Sequence, residues 1–251
     1  MYGKTDSSRK RDSLISAENN RAMFDRIAGY YDGTNKILSL GLDAYWRQKA
    51  VARLGPQLGC TYIDLGCGTG DVSLEILRQA PGSSVIGIDP SEGMLAIGRD
   101  KVHRAGLDEW ISLVTGDVLD LQYESNSFDG AITSFCIRNV TDRKRGLAEI
   151  NRVVRPGGRL VILELTEPQG FLMRPLFRFY ARTFMPLLTK IMSSVSAYRY
   201  LSDSMADFPA PEMVFDLMKA AGFTNLKYAH MTGGIVTLFI GEAEPDPGVK
   251  C

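Results

Sequence analysis

Tyr62 to Asp71 reads Y-I-D-L-G-C-G-T-G-D, so three glycines follow a short apolar run directly. The segment behind it, Val72 to Leu77, carries apolar residues at helical spacing. The order is strand, glycine turn, helix. Only glycine lets a backbone turn this sharply while coming close to a ligand, and the start of the helix offers unpaired N–H groups. Asp64 stands before the first glycine, and Asp89 closes the next apolar run, Ser84 to Ile88. Asp89 falls about 20 residues past the turn, where doubly wound folds place the acid that holds a ribose. Glycine turns after strands are common, and the spacing Gly66-x-Gly68-x-Gly70 departs from the nicotinamide fingerprint G-x-G-x-x-G. A dehydrogenase is therefore the weaker reading.

Periodicity places the remaining elements. Residues 1–18 are polar and aperiodic and read as a flexible tail. Residues 19–58 form a helical cap: a short helix over Ala22 to Ala28, a break at Tyr30 to Asn35, and a second helix from Asp43 to Leu54, stopped by Gly55-Pro56. Tyr30, Tyr31, Tyr45 and Trp46 make this forepart aromatic enough to serve as a lid. A core over residues 59–167 alternates strands (61–65, 84–88, 111–114, 128–134, 159–164) with helices near 72–79, 94–105 and 143–154. That alternation predicts an α/β, doubly wound, mostly parallel sheet. Residues 168–210 are an apolar insertion suited to closing the core, roofing a greasy pocket, meeting a membrane surface or forming a homodimer. Residues 211–251 supply a helix, a terminal antiparallel strand pair and a loose tail.

Composition removes several function classes. Lys+Arg and Asp+Glu are equal at 29 each, so net charge does not favour a nucleic-acid partner. The four cysteines lack C-x-x-C spacing and His103 and His230 stand far apart, so no metal site is implied. Free thiols, no secretion signal and no long apolar run point to a cytoplasmic setting, peripheral to the inner membrane face if the insertion meets lipid.

Three loops follow successive strand ends, at Gly66, Asp89 and Gly116, and Ser134 ends the fourth strand. In an open parallel sheet the ligand crevice lies there. A carboxylate at Asp89 can accept from both ribose hydroxyls, and Asp117 from an adenine amine while the Val118 N–H donates to a ring nitrogen. Asp64 would orient the glycine loop or meet an ammonium group.

The glycine spacing resembles motif I of class I S-adenosylmethionine methyltransferases. Further stretches resemble one family among them, the UbiE/MenG-type C-methyltransferases of menaquinone and ubiquinone biosynthesis. They are Tyr31-Asp32-x-x-Asn35, Leu38 to Leu42 with Trp46-Arg47, Gly68-Thr69-Gly70-Asp71, and Ser134 to Asp142. Arg155 to Arg159, Tyr198-Arg199-Tyr200-Leu201-Ser202-x-Ser204 and Gly233 to Val236 complete the likeness, which spans residues 20–241. The resemblance implies a Rossmann-like fold with S-adenosyl-L-methionine held by Gly66, Gly68, Thr69, Gly70, Asp89, Met94, Asp117, Val118 and Ser134, with Asp64 nearby. Two departures stand out: Gly66-Cys67 replaces alanine-glycine of some members, and Asp117 replaces an asparagine.

The reaction implied is methyl transfer to a ring carbon of a polyprenylated quinol, demethylmenaquinol or a ubiquinol precursor. Arg138 and Asn139 would lie at the quinol. Arginine is a poor base, so Arg138 would polarise a water or stabilise the quinolate oxygen, with Tyr31 and Asp32 orienting that water. An ion pair with a core acid such as Glu164 is the other reading of Arg138. Two further functions stay open: a methyltransferase for another apolar or phenolic acceptor, and a non-catalytic cofactor-binding subunit of a quinone-biosynthesis complex.

Overall fold

The structure, a computed structural model, describes residues 6–166, 168, 173–175, 177, 179, 183, 204, 205 and 208–244, with side chains from residue 18 onward. Most of the 168–210 insertion, including the Tyr198 to Ser202 stretch, and the tail after residue 244 lie outside the described residues.

A seven-stranded sheet in the order β3-β2-β1-β4-β5-β7-β6 carries the chain. The strands are β1 Thr61–Leu65, β2 Ser84–Asp89, β3 Ile111–Thr115, β4 Phe128–Ser134, β5 Val154–Leu165, β6 Phe223–Met231 and β7 Val236–Ala243. The first five run parallel, and β7 enters antiparallel between β5 and β6. Helices α3 (Asp71–Gln79), α4 (Glu92–Arg104), α5 (Arg143–Val153) and α6 (Pro211–Ala220) connect them, after α1 (Asp6–Leu38) and α2 (Leu42–Leu54). The expected fold is thus the observed one, a class I methyltransferase sheet with a terminal hairpin and a helical cap.

Alternation along the strands divides the core into two layers. Tyr62 of β1 packs with α2, α3 and α4 through Trp46, Val51, Ile76 and Leu95. Ile63 and Leu65 point the other way, onto Leu147, Ile150 and Val153 of α5 and Met218 of α6. Both faces of a parallel sheet are covered in this way, which is why its strands read as near-continuous apolar runs.

Three local expectations are corrected. The helix begins at Asp6, inside the stretch expected to be a flexible tail, and it continues through Tyr30 to Asn35 without a break. Gly33 lies within the expected interruption, but helical backbone is open to glycine, and Thr34 Oγ1 donates to the Tyr30 carbonyl at 2.8 Å within the same turn. The helix ends instead at Leu38, and the turn behind it holds Leu40 and Gly41 at positive φ (54° and 78°). Strand β5 starts at Val154 rather than Arg159, because Val154 pairs with Phe128 before the register shifts between Phe128 and Gly130. Arg155 holds that irregular stretch through an ion pair to Asp129 at 2.5 Å.

Ile132 lies in central β4 and is 0% exposed. Replacing it with alanine should lower unfolding free energy by about 2–5 kcal/mol, read from urea midpoints. A loss under 1 kcal/mol, on the order of a surface substitution, would mean the sheet centre is packed differently.

Candidate active site

The crevice begins where β1 gives way to the glycine turn. Gly66, Gly68 and Gly70 have φ of +68°, +53° and +78°, a region in which a side chain is strained. At Gly66 space is also lacking, since an added Cβ would lie 2.3 Å from Cys136 Sγ. Gly68 has nothing within 4 Å of that direction, so the loop faces open space there. Its N–H donates to Asp89 Oδ2 at 2.9 Å, and the Ser91 N–H donates to Oδ1 at 2.9 Å. Burial pushes the Asp89 carboxyl upward, and those two N–H bonds oppose the shift. Lone pairs remain on both oxygens.

Two buried oxygens nearby have no hydrogen-bond partner among the described residues: Asp64 Oδ1 and Ser134 Oγ. Asp64 Oδ2 accepts from Ser73 Oγ at 2.7 Å. Burial raises the Asp64 pKa to about 7, with the Asp89 charge adding to the rise. Orphaned polar atoms at the ends of β1 and β4, an acceptor carboxylate at the end of β2 and open space over Gly68 form a polar cradle. Those residues fit the amino-acid and ribose parts of S-adenosylmethionine.

Helix α1 is stitched across this cradle. Asp25 Oδ1 accepts from Ser91 Oγ at 2.6 Å and from the Gly93 N–H at 3.0 Å. Ser91 in turn caps α4 by accepting from the Met94 N–H. About two turns along α1, Asp32 Oδ1 accepts from Thr69 Oγ1 at 2.7 Å and Oδ2 pairs with Lys101 Nζ at 2.6 Å. Lys101 also reaches Asp71 at 2.6 Å, and Asp71 lies 3.5 Å from Arg47, which pairs with Asp43 at 2.5 Å. A chain of alternating charge therefore joins α1, α2, α3 and α4 around the glycine turn.

Beside it lies a cavity of about 380 Å³. Its walls are mainly apolar: Leu38, Leu40, Leu42, Trp46, Phe135, Leu165 and Ile235, with Met173, Phe177 and Met205 from the insertion. Tyr31, Asn35, Ser39, Asp43, Arg47, Arg138 and Thr232 add a few polar groups. Trp46 Nε1 donates to Thr232 Oγ1 at 2.8 Å, which ties α2 to the β6–β7 turn at the cavity end. Tyr31 is bonded to Asn35, and burial raises its pKa above the usual phenol value, so it stays protonated at neutral pH.

Arg138 sits in a 3-10 turn over Ile137–Asn139 after β4 and is held from below. Its guanidinium pairs with Glu164 Oε1 at 2.5 Å and donates to the Phe135 carbonyl at 2.7 Å, while its N–H donates to Glu164 Oε2 at 3.2 Å. Glu164 is 0% exposed. The ion-pair reading of Arg138 is realised, and the same residue also lines the cavity.

The candidate residues thus divide into groups. Tyr31 and Arg138 share the cavity, whereas Asp32 and Asn139 are not among its lining residues. Asp32 belongs to the glycine turn, because helix α1 continues unbroken and turns it away from Tyr31. Asn139 is partly buried, and its N–H donates to the Cys136 carbonyl at 2.8 Å. Gly66, Gly68, Thr69, Gly70 and Asp89 gather at the cradle with Asp64 and Ser134. Met94 is buried beneath it, at 2% exposure. Asp117 is exposed, with Oδ1 accepting from the Leu119 N–H at 2.9 Å, and Val118 is partly buried beside it. Sequence reasoning did not select Asn35, Ser39, Asp43, Arg47, Asp25 or Lys101 as site residues. For the first four the signal was i, i+4 spacing, Tyr31 to Asn35, Ser39 to Asp43 and Asp43 to Arg47; Asp25 and Lys101 act across sequence distances that no local pattern marks.

Two measurements test this geometry. The Asp64 carboxyl has its folded pKa above the unfolded value of about 3.9, so its contribution to stability falls as pH rises from about 4 to about 7. Asp64→Asn should therefore gain stability over the parent across that window, on the order of 3–4 kcal/mol at its upper end. Parallel profiles in urea titrations at pH 4.5 and 8 would show Asp64 ionised normally. Arg138→Ala leaves Glu164 buried without its guanidinium, and should lower stability by about 3–5 kcal/mol. The pair variant Arg138→Met with Glu164→Leu should recover much of that loss; equal stability of Arg138→Ala and parent would show the pair is not desolvated.

The site was compared with known proteins. The ubiE/COQ5 methyltransferase family matches residues 13–243. A "Ubiquinone/menaquinone biosynthesis C-methyltransferase UbiE" from Geotalea uraniireducens is 40% identical over 221 residues, covering 88% of this chain and 94% of that protein. A "Demethylmenaquinone methyltransferase" from Bacteroides fragilis is 40% identical over 218 residues, covering 86% and 89%. Among solved structures, an S-adenosylmethionine-dependent methyltransferase of Thermotoga maritima superposes with a TM-score of 0.63 at 21% identity, over 89% of this chain and 99% of that one, a likeness of fold. With a glycine cradle at the ends of β1, β2 and β4 and a family match across nearly its whole length, the chain belongs to the ubiE/COQ5 family of S-adenosylmethionine-dependent methyltransferases.

Proposed function

We propose that this methyltransferase acts on carbon, methylating the ring of a polyprenylated quinol, either demethylmenaquinol or a ubiquinol precursor. The observation that carries the reading is the apolar cavity beside the glycine cradle. Its leucine, methionine and aromatic walls suit a ring with a hydrocarbon substituent, and its few polar groups suit ring oxygens. The names of the relatives from Geotalea and Bacteroides agree with this class of acceptor.

Asp89, Ser134, Asp64 and the glycine turn would hold S-adenosylmethionine, which would supply an electrophilic sulfonium methyl. The residues of this chain do the rest. The apolar walls exclude water and restrict the orientation of the ring. As a ring hydroxyl loses its proton to solvent water at the cavity mouth, negative charge grows on oxygen and delocalises to the neighbouring carbon. Arg138 and Arg47 are fixed cations on that cavity, and both are held in place by acids, Glu164 and Asp43. Such prearranged charges stabilise the developing quinolate without reorganising at the moment of reaction. Tyr31, protonated and oriented by Asn35, offers a hydrogen bond to the same oxygen. Breaking of the sulfur–methyl bond would leave S-adenosylhomocysteine, and the ring proton at the methylated carbon passes last to solvent water at the cavity mouth, which restores aromaticity.

Labelled cofactor incubated with a prenylated demethylquinol and with a tail-less catechol tests the acceptor. Transfer to the quinol alone is expected; transfer to the catechol alone would instead assign another phenolic substrate. Tyr31→Phe should lower kcat by about 10–100-fold while S-adenosylhomocysteine affinity stays within about twofold, on the order expected for one lost hydrogen bond to a charged group. Unchanged turnover would remove Tyr31 from the reaction.

A further inference from the structure

The turn between α1 and α2 exposes apolar side chains at the cavity rim. Leu40, at its tip, is 77% exposed and holds a positive φ of 54° without being glycine. Ile37 and Tyr45 flank it at 46% and 48% exposure, and Tyr30 lies two turns back along α1 at 41%. Leu40 and Leu42 belong both to this outer surface and to the cavity lining. An apolar path therefore runs without interruption from outside the protein to the cavity.

The charge on this face is one-sided in a chain whose totals balance. Between Gly33 and Leu58 the one acid is Asp43, and it is buried against Arg47 and Ser39. Lys36 and Lys49 are exposed, and Lys49 Nζ stands 5.5 Å from the centre of the Tyr45 ring. Exposed leucine and isoleucine at a tip, tyrosines beside them and lysines around the margin match the layered polarity of a lipid interface. The geometry points to this turn as a docking site for an anionic bilayer surface, with Leu40 and Ile37 entering the acyl boundary and Lys36 and Lys49 meeting phosphate headgroups. Docked in this way, the mouth of the cavity faces the membrane, and a lipid-borne ring enters without crossing water. That last step rests on the quinol reading given above; the docking itself does not.

Flotation of the full-length protein with vesicles that contain no quinone separates the two. The vesicles are phosphatidylcholine alone, or phosphatidylcholine with about 30% phosphatidylglycerol to supply an anionic surface. The parent should float with the anionic vesicles. Ile37→Glu with Tyr45→Glu should lower the bound fraction by about tenfold or more. Lys36→Glu with Lys49→Glu should lower binding to the anionic vesicles by a similar factor, since each lysine near such a surface contributes about fivefold. If either glutamate pair unfolds the protein, asparagine at the same positions gives the same test with less charge. Parent protein that stays unbound, or an Ile37→Glu/Tyr45→Glu variant that floats like the parent, overturns the proposal. So does a dimer in sedimentation equilibrium that this variant dissolves, which would assign the face to a second copy of the chain. Intact quinol turnover in detergent with no vesicle binding removes the docking site alone, and vesicle binding without quinol turnover removes the acceptor alone.

Discussion

The strand order reverses at β1, whose neighbours β2 and β4 diverge in sequence direction, and that reversal opens the crevice on which the site depends. The chain must leave β1 there without filling the gap. Three glycines in the left-handed region accomplish the exit, and Cys136 occupies the volume that a side chain on Gly66 would need. The contact reaches past the loop itself, because Cys136 leads into the turn that carries Arg138. The cofactor cradle and the cavity are thereby fixed relative to each other by steric contact between two strand ends.

Charge inside this site is placed at a stability cost. Asp64 is buried with one oxygen unpartnered among the described residues, and Glu164 is buried whole. Neither position is favourable for folding alone. Glu164 is compensated by Arg138, and the pair gives that guanidinium a fixed place on an apolar cavity. A flexible, solvated arginine would have to reorganise before meeting a developing charge, whereas one held in this way is already in place. The same logic holds for Arg47, fixed between Asp43 and Asp71.

Helix α1 gives the cap its meaning. Asp25 and Asp32 contact the second and first cofactor loops, while Tyr31 and Asn35, on another side of the same helix, line the cavity. One helix thus bears on both the cradle and the cavity. Just past its end, Leu40 and Gly41 turn the chain outward where the exposed apolar tip forms. The break expected at Tyr30 to Asn35 would have separated these roles. Helical continuity was hard to read because glycines and aromatic residues weaken local propensity, and packing against α4 overrides so small a preference.

The sequence by itself determined the sheet, the order of its helices, the glycine turn and the acids at the strand ends. Strand and helix periodicity are local, and the backbone demands of a tight turn are met by glycine alone, so both are written in consecutive residues. Arg138 was also legible as a residue of two alternative uses. Tertiary structure decided the ion pair, because Glu164 arrives from the next strand, 26 residues away in the chain, and it set the same arginine on the cavity wall. It decided that Asp32 serves the glycine turn and not the cavity, and that Lys101 completes the same cluster from α4. Those choices depend on distances between side chains that are remote in sequence, and such distances exist only once the layers have packed.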